Sequence, residues 1–290
     1  MKRKRRRRRR MRRFLNGSWR RRAWTMRSQR SSSKTSSPAS PRVIVGLIDG
    51  AEPAFIESQG YRNLLLREHG ATSIPRSLYH PEVGVPWSPL VWASFLKGRP
   101  VSISEIEVAP GLYLTPPPTI RDKIKVPALF MEIPTLTFPW KLRRLEDVDV
   151  KKLSETHLHQ FKARRKKILE SLDRGYQAVF FYLSILDIYG HIWWQHREIM
   201  RRVYGMVDGL IGEIREKAPE AVIILLSDHG MKPLEGHRHA GRHSDHGFYS
   251  SSYPLGLERP SILHLHGAVV GLIEQLANPE NQGSKGVACR

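Results

Sequence analysis

The chain predicts an α/β domain built on a largely parallel sheet with helices on both faces, and three observations carry that expectation. V-I-V-G-L-I from Val43, A-V-F-F-Y-L-S-I-L from Ala178 and A-V-I-I-L-L from Ala221 are apolar without alternation, the pattern of strands buried on both faces. Helical patterns lie between them, at the spacing of parallel strands joined by crossovers. Each run leads into an aspartate, namely Asp49, Asp187 and Asp228. Ligands of open α/β sheets collect outside the carboxyl ends of the strands, so the three carboxylates are expected to converge.

Charge is spread unevenly. Residues 1–42 hold 18 of the 48 Lys and Arg residues and none of the 27 acidic ones, which leaves the remainder close to neutral. The formal +21 therefore describes the tail, and the pI does not mark the body as a nucleic-acid binder. The run M-K-R-K-R-R-R-R-R-R-M-R-R buries too little apolar surface to fold and is expected to be disordered. It is either a weak electrostatic tether to nucleic acid or an anionic surface, or a dispensable start, since Met11 and Met26 could each begin the chain. A Ser/Pro-rich linker to Pro41 follows. The sequence thus divides into a basic tail and linker at 1–42, a folded domain at 43–277 and a frayed segment at 278–290.

The one cysteine, Cys289, forms no internal disulfide, and no apolar run approaches the ~20 residues that span a bilayer. No apolar segment of a signal peptide follows the arginines. The expected location is cytoplasmic.

In chain order, Val43 to Ile48 is the first strand and enters the loop Asp49–Pro53. A helix around Leu64–Leu66 and a Pro-punctuated loop from Ile74 to Pro89 are expected next. Ser88 opens a helix with Pro89 in its first turn and Gly98 at its end. Val101 to Val108 alternates like a strand, Thr115 to Pro118 reads as a turn or extended piece, and Val126 to Ile133 reads as a strand. A charged amphipathic helix spans Asp149 to Asp173, with Phe161, Ile168 and Leu172 on its apolar face and Lys162–Lys167 on a solvated one. The strand from Ala178 to Leu186, a helix from Trp194 to Lys217 and the strand before Asp228 follow. A His-rich loop from Gly236 to Gly247, an edge strand at Ile262–Leu265 and a short helix at Val269–Leu276 close the domain.

A single aspartate after a strand is explained as a helix cap. Three of them, two with histidine nearby, fit a metal site better. Asp187 and His191, four apart across a glycine-containing turn, can reach one ion, and Asp228 with His229 serves that ion or a neighbour. Carboxylates and imidazoles without a usable thiolate suit zinc or manganese. Paired ions ~4 Å apart serve displacements at phosphorus.

D-G-A at Asp49, S-P-L-V-W-A-S-F-L-K-G-R-P from Ser88, D-I-Y-G-H from Asp187, S-D-H-G-M from Ser227 and H-S-D-H-G-F-Y-S from His243 stand in one order along the chain. That series resembles the alkaline phosphatase superfamily, and within it the type I phosphodiesterase/nucleotide pyrophosphatase group, from Val43 to about Ser252. S-D-H-G-M is the strongest single motif. The resemblance implies a metal-dependent phosphoester hydrolase with two divalent ions, zinc first and manganese second, acting on a phosphate ester or nucleotide. One ion would be held by Asp187, His191 and a loop histidine, the other by Asp49, Asp228, His229 and the nucleophile oxygen. The nucleophile falls on Ser88, which could also be only the helix N-cap; Ser94 is the weaker alternative. His243 fits the family spacing to Gly247 and Phe248, His246 is the alternative, and His237 and His239 are expected to be merely exposed. The group's asparagine three residues after the nucleophile is replaced by Val91, which opens the choice of leaving group.

Competing readings on the same fold are a phosphomonoesterase, a sulfatase or a phosphomutase. From other classes come a nucleic-acid-binding protein acting through its tail with a non-catalytic domain, and a metal-stabilised structural domain.

Overall fold

The computed structural model describes residues 42–141 and 149–277. The basic tail, the linker and the segment after residue 277 lie outside those residues, and the expectations made for them stay there.

The central sheet has six strands in the order β2 (Glu68–Ser73), β11 (His246–Ser251), β8 (Val222–Ser227), β1 (Val43–Ile48), β7 (Ala178–Leu183) and β5 (Ala128–Met131). β8, β1, β7 and β5 run parallel, while β11 is antiparallel to both β8 and β2. The sheet is therefore mostly parallel, as the apolar runs required. β1 sits at the centre because all six of its residues are buried, Val43, Val45 and Leu47 facing one core and Ile44 and Ile48 the other. Burying one such side chain contributes roughly 1.5–3 kcal/mol, so a solvated position for this strand would forfeit most of what it can gain.

Helices cover both faces. One carries α2 (Ser88–Lys97), the one-turn helices α3 (Ile103–Ile106) and α4 (Ile120–Lys123), and α8 (Ile262–Ala277). The other carries α1 (Pro53–Gln59), α5 (Val150–Ser171), α6 (Ile185–Trp193) and α7 (Arg197–Lys217). Two small sheets complete the architecture, β3 (Glu107–Ala109), β4 (Leu112–Tyr113) and β6 (Trp140–Lys141) in one and β9 (Met231–Pro233) with β10 (Gly241–His243) in the other. Among the described residues no helix is long and apolar enough to cross a membrane.

Several expectations are corrected. The helix after β1 is Pro53–Gln59, not a helix at Leu64–Leu66. Pro53 starts it, and Gly60, in the left-handed region at φ 65°, ends it before those leucines are reached. Val101–Val108 is not a strand: Ser102 and Glu105 form a capping box that nucleates α3, and pairing begins only at Glu107. Strand β7 stops at Leu183, so Asp187 lies in the first turn of α6 and not at a strand end. The His-rich stretch is not one loop, because it supplies β10 and the start of β11. Ile262–Leu265 is the first turn of α8, which replaces both the edge strand and the short helix. Ile262, Leu265, Val269, Leu272 and Ile273 recur at helical spacing and, with His266, are the buried residues of that helix.

Candidate metal centre

Register brings the first two carboxylates together. β1 and β8 pair Leu47 with Leu226, and Asp49 and Asp228 each come two residues later. β1 and β7 pair Ile48 with Leu183, and the Asp49 amide donates to Leu183 O at 2.9 Å. β7 then hands over to α6, whose first turn carries Asp187 and whose second carries His191 on the same face. Gly50 permits this approach: its φ is +75°, and a Cβ there would stand 2.6 Å from the Asp187 Cα.

The six carboxylate and imidazole residues expected at the site converge. His229 Nε2 lies 3.2 Å from Asp49 Oδ1, 3.4 Å from Asp228 Oδ2 and 3.8 Å from Asp187 Oδ1. His191 Nε2 lies 3.2 Å from Asp187 Oδ1 and 2.9 Å from His243 Nε2, which is itself 3.4 Å from Asp187 Oδ1. The rings of His229 and His243 stack with centroids 3.5 Å apart. Two triads have ligand atoms mutually within 4.8 Å: Asp187, His229 and His243, and Asp49, Asp228 and His229.

Ser88 also reaches the centre, its Oγ 3.1 Å from His229 Nε2. It is the first residue of α2 and not its cap; that position is Trp87, which makes no side-chain capping bond. Ser94 donates no such contact: it is fully buried further along α2 and accepts from the Val101 amide. Val91 is buried in the apolar core and offers nothing to the site.

The tautomers follow from the outer partners. Nδ1 of His191, His229 and His243 faces the carbonyls of Gly241, Gly230 and Pro86 at 3.3, 3.0 and 2.8 Å. A carbonyl can only accept, so each Nδ1 carries the hydrogen and each neutral ring turns an Nε2 lone pair inward. That is the orientation of metal-ligating histidine.

The carboxylates show the same want of a partner. Asp49 Oδ1, Asp187 Oδ1 and both oxygens of Asp228 are buried without a hydrogen-bond donor. An uncompensated buried charge costs several kcal/mol, more than the ~1 kcal/mol of a helix cap, and no helix follows Asp228 for it to cap. Burial, and then the neighbouring Asp49, push the Asp228 carboxyl well above its ordinary range. Burial opposes protonation of His229, but Asp228 and Asp49 outweigh it and raise that imidazole to about 10. His243 moves the other way, to about 4, through burial and the adjacent His229. Tyr182 donates its hydroxyl to Asp49 Oδ2 and so orients that carboxylate. The donor set, four oxygens and three imidazole nitrogens around shared points, fits divalent cations.

Sequence reading missed Glu52. This buried carboxylate accepts from the Met231 amide at 2.9 Å and Ser244 Oγ at 3.1 Å, and its Oε1 lies 3.0 Å from His246 Nε2. It ties together the segments that carry Asp49, His229 and His243. A Cβ on Gly230 would stand 2.2 Å from Glu52 Oε2, so the residue before Met231 has no room for a side chain. His246 is thereby engaged by Glu52, and His243 is the loop histidine that joins the centre. His237 and His239 are exposed, as expected, although His239 stacks on His196. The only sequence signal for Glu52 was its place beside D-G-A.

The fold is of alkaline phosphatase type. A magnesium-bound variant of the alkaline phosphatase of the Antarctic bacterium TAB5 superposes with a TM-score of 0.51 at 13% identity, covering 81% of this chain and 98% of that one. A second magnesium-bound variant gives 0.50 at 12% identity with the same coverage. An inactive murine ectonucleotide pyrophosphatase/phosphodiesterase 5 in complex with AMP gives 0.40 at 15% identity, covering 68% of this chain and 59% of that one. No curated protein matches the sequence. The family profile of type I phosphodiesterase / nucleotide pyrophosphatase matches residues 88–250, more than half of the chain, and the protein belongs to that family. It is an enzyme of the metal-dependent phosphoester hydrolase class.

Proposed function

We propose that the protein is a phosphodiesterase or nucleotide pyrophosphatase that works through Ser88 at a two-metal centre. Asp187, His191 and His243 would hold one ion; Asp49, Asp228, His229 and the Ser88 oxygen would hold the other. The observation that carries this reading is the inward set of three Nε2 atoms beside four buried carboxylate oxygens that have no hydrogen-bond partner. Zinc is the expected metal and manganese the second choice, on donor chemistry alone.

Bound divalent ions would lower the proton affinity of the Ser88 hydroxyl and of water and offset charge on the phosphoryl oxygens. Ser88 Oγ attacks phosphorus, the P–Oγ bond forms as the bond to the leaving oxygen breaks, and the leaving group departs protonated. Water then cleaves the phosphoserine and restores the hydroxyl. Trp87 and Pro89, on either side of Ser88, are buried and fix its position.

Full-length protein loaded with zinc or manganese is expected to cleave a nitrophenyl phosphodiester faster than the monoester or the sulfate ester. A faster monoester or sulfate reaction would transfer the assignment to a phosphatase or sulfatase on this fold. Cytoplasmic location, expected from the single cysteine, belongs to this proposal, as does a small phosphate ester or nucleotide as substrate. A nucleic-acid role for residues 1–42 has no support.

A further inference from the structure

An open cleft of about 330 Å³ has Glu52, Phe55, Trp194, Arg197, Arg201 and Lys232 among its lining residues and none of the six carboxylate and imidazole residues of the ligand cluster. Three of these are cations, and among the described residues none of the three forms an ion pair. Arg197 stacks over the rings of Phe55 and Trp194 at 5.4 and 5.3 Å, which fixes its guanidinium without using its N–H donors. Arg201 spends one donor on Gln59 Oε1.

One further observation bears on the ligand. The one carboxylate of the lining is already engaged. Glu52 Oε1 is met by the Ala54 amide at 3.3 Å and His246 at 3.0 Å, and Oε2 by the Met231 amide at 2.9 Å and Ser244 at 3.1 Å. The cleft is thus rich in positive charge, with no free carboxylate among its lining residues to answer it.

We propose that this cleft binds a small oxyanion of the phosphate or phosphate-monoester class, at a site separate from the metal centre. Arg197, Arg201 and Lys232 supply the charge and the donors, with Arg197 held in place by the two rings it stacks on. The volume suits an anion with a small substituent and is too small for a polymer. The inference does not depend on the hydrolase reading, because none of these cationic and aromatic side chains belongs to the metal-ligand set.

The test is phosphate binding to the full-length, metal-loaded protein, read as stoichiometry by calorimetry with inorganic phosphate. Arg197→Gln/Lys232→Gln should bind one phosphate per chain fewer than the unaltered protein, whether or not the metal centre also takes phosphate. Arg201→Gln alone, which removes one of the three cations, should weaken that event by roughly tenfold, the scale of one charge-assisted hydrogen bond. Equal stoichiometry and affinity in the double variant would overturn the proposal. Should the double variant fold poorly, unchanged phosphate binding in Arg197→Gln alone would overturn it as well.

Discussion

The Nε2 atoms of His191 and His243 stand 2.9 Å apart, each on a ring whose Nδ1 donates to a main-chain carbonyl. Whenever both rings are neutral, their lone pairs face each other, a contact that is repulsive until a cation lies between them. Removing divalent ions is therefore expected to lower the melting temperature. Ligand linkage contributes about 2.7 kcal/mol per site at a metal concentration a hundredfold above Kd. Calorimetric melting with and without a chelator checks this, and coincident transitions would remove the metal reading.

Metal uptake should release protons. His229 is held at about 10 by Asp228 and Asp49 against the opposing effect of burial, so at neutral pH it is protonated in the metal-free protein. A ligating imidazole must be neutral at Nε2, so that proton leaves on binding and affinity rises with pH up to about 10. Titrations in buffers of different ionisation enthalpy should give at least one proton released per chain at pH 7.5.

Ser88→Ala is expected to reduce phosphodiester turnover by at least ~10³-fold, since loss of a nucleophile removes the covalent route. Metal content should change little, because the aspartate and histidine ligands remain. Elemental analysis beside the rate separates the two effects. Full turnover in this variant would exclude Ser88 as the attacking group.

Glu52→Gln keeps the shape of the side chain and removes its charge. Metal affinity should fall by about 10–100-fold, the range seen when groups supporting ligands are altered. A competing chelating dye measures it.

The same substitution has a pH signature. The hydrogen bond to Glu52 raises His246 above its ordinary 6.5, with burial opposing. A raised folded-state value means that the folded protein binds the proton more tightly than the unfolded chain does. The stability is fully present below about pH 6.5 and is lost as pH climbs through the folded value. The gap in melting temperature between the unaltered protein and Glu52→Gln should therefore narrow as pH rises above 6.5. A gap that widened would contradict the pairing.

The buried strands were legible because their residues face a core on both sides, which leaves no alternation and no ambiguity about depth. The order of the ligands was legible for the same reason, since Asp49 and Asp228 follow strands in register. Asp187 was misplaced by one element: nothing in S-I-L-D shows whether a strand continues or a helix has begun, and tertiary packing decides it. β2, Glu-His-Gly-Ala-Thr-Ser, has almost no apolar signal, because it is held by main-chain pairing to β11 at the sheet edge. Ile262–Leu265 looked like a strand in a four-residue window and helical only when Val269, Leu272 and Ile273 were counted with it. Glu52 escaped notice because its partners Met231, Ser244 and His246 are remote in the chain.

β11 lies between β2 and β8 although it is the last strand in sequence among the described residues, and the His243 hairpin is anchored by it. The ligand set runs from residue 49 to residue 243, so a growing chain offers only part of it until that strand pairs. Ion capture by the whole cluster is thus a late event of folding, and a chain halted before β11 would display aspartates and histidines to compete loosely for whatever cations the surroundings supply.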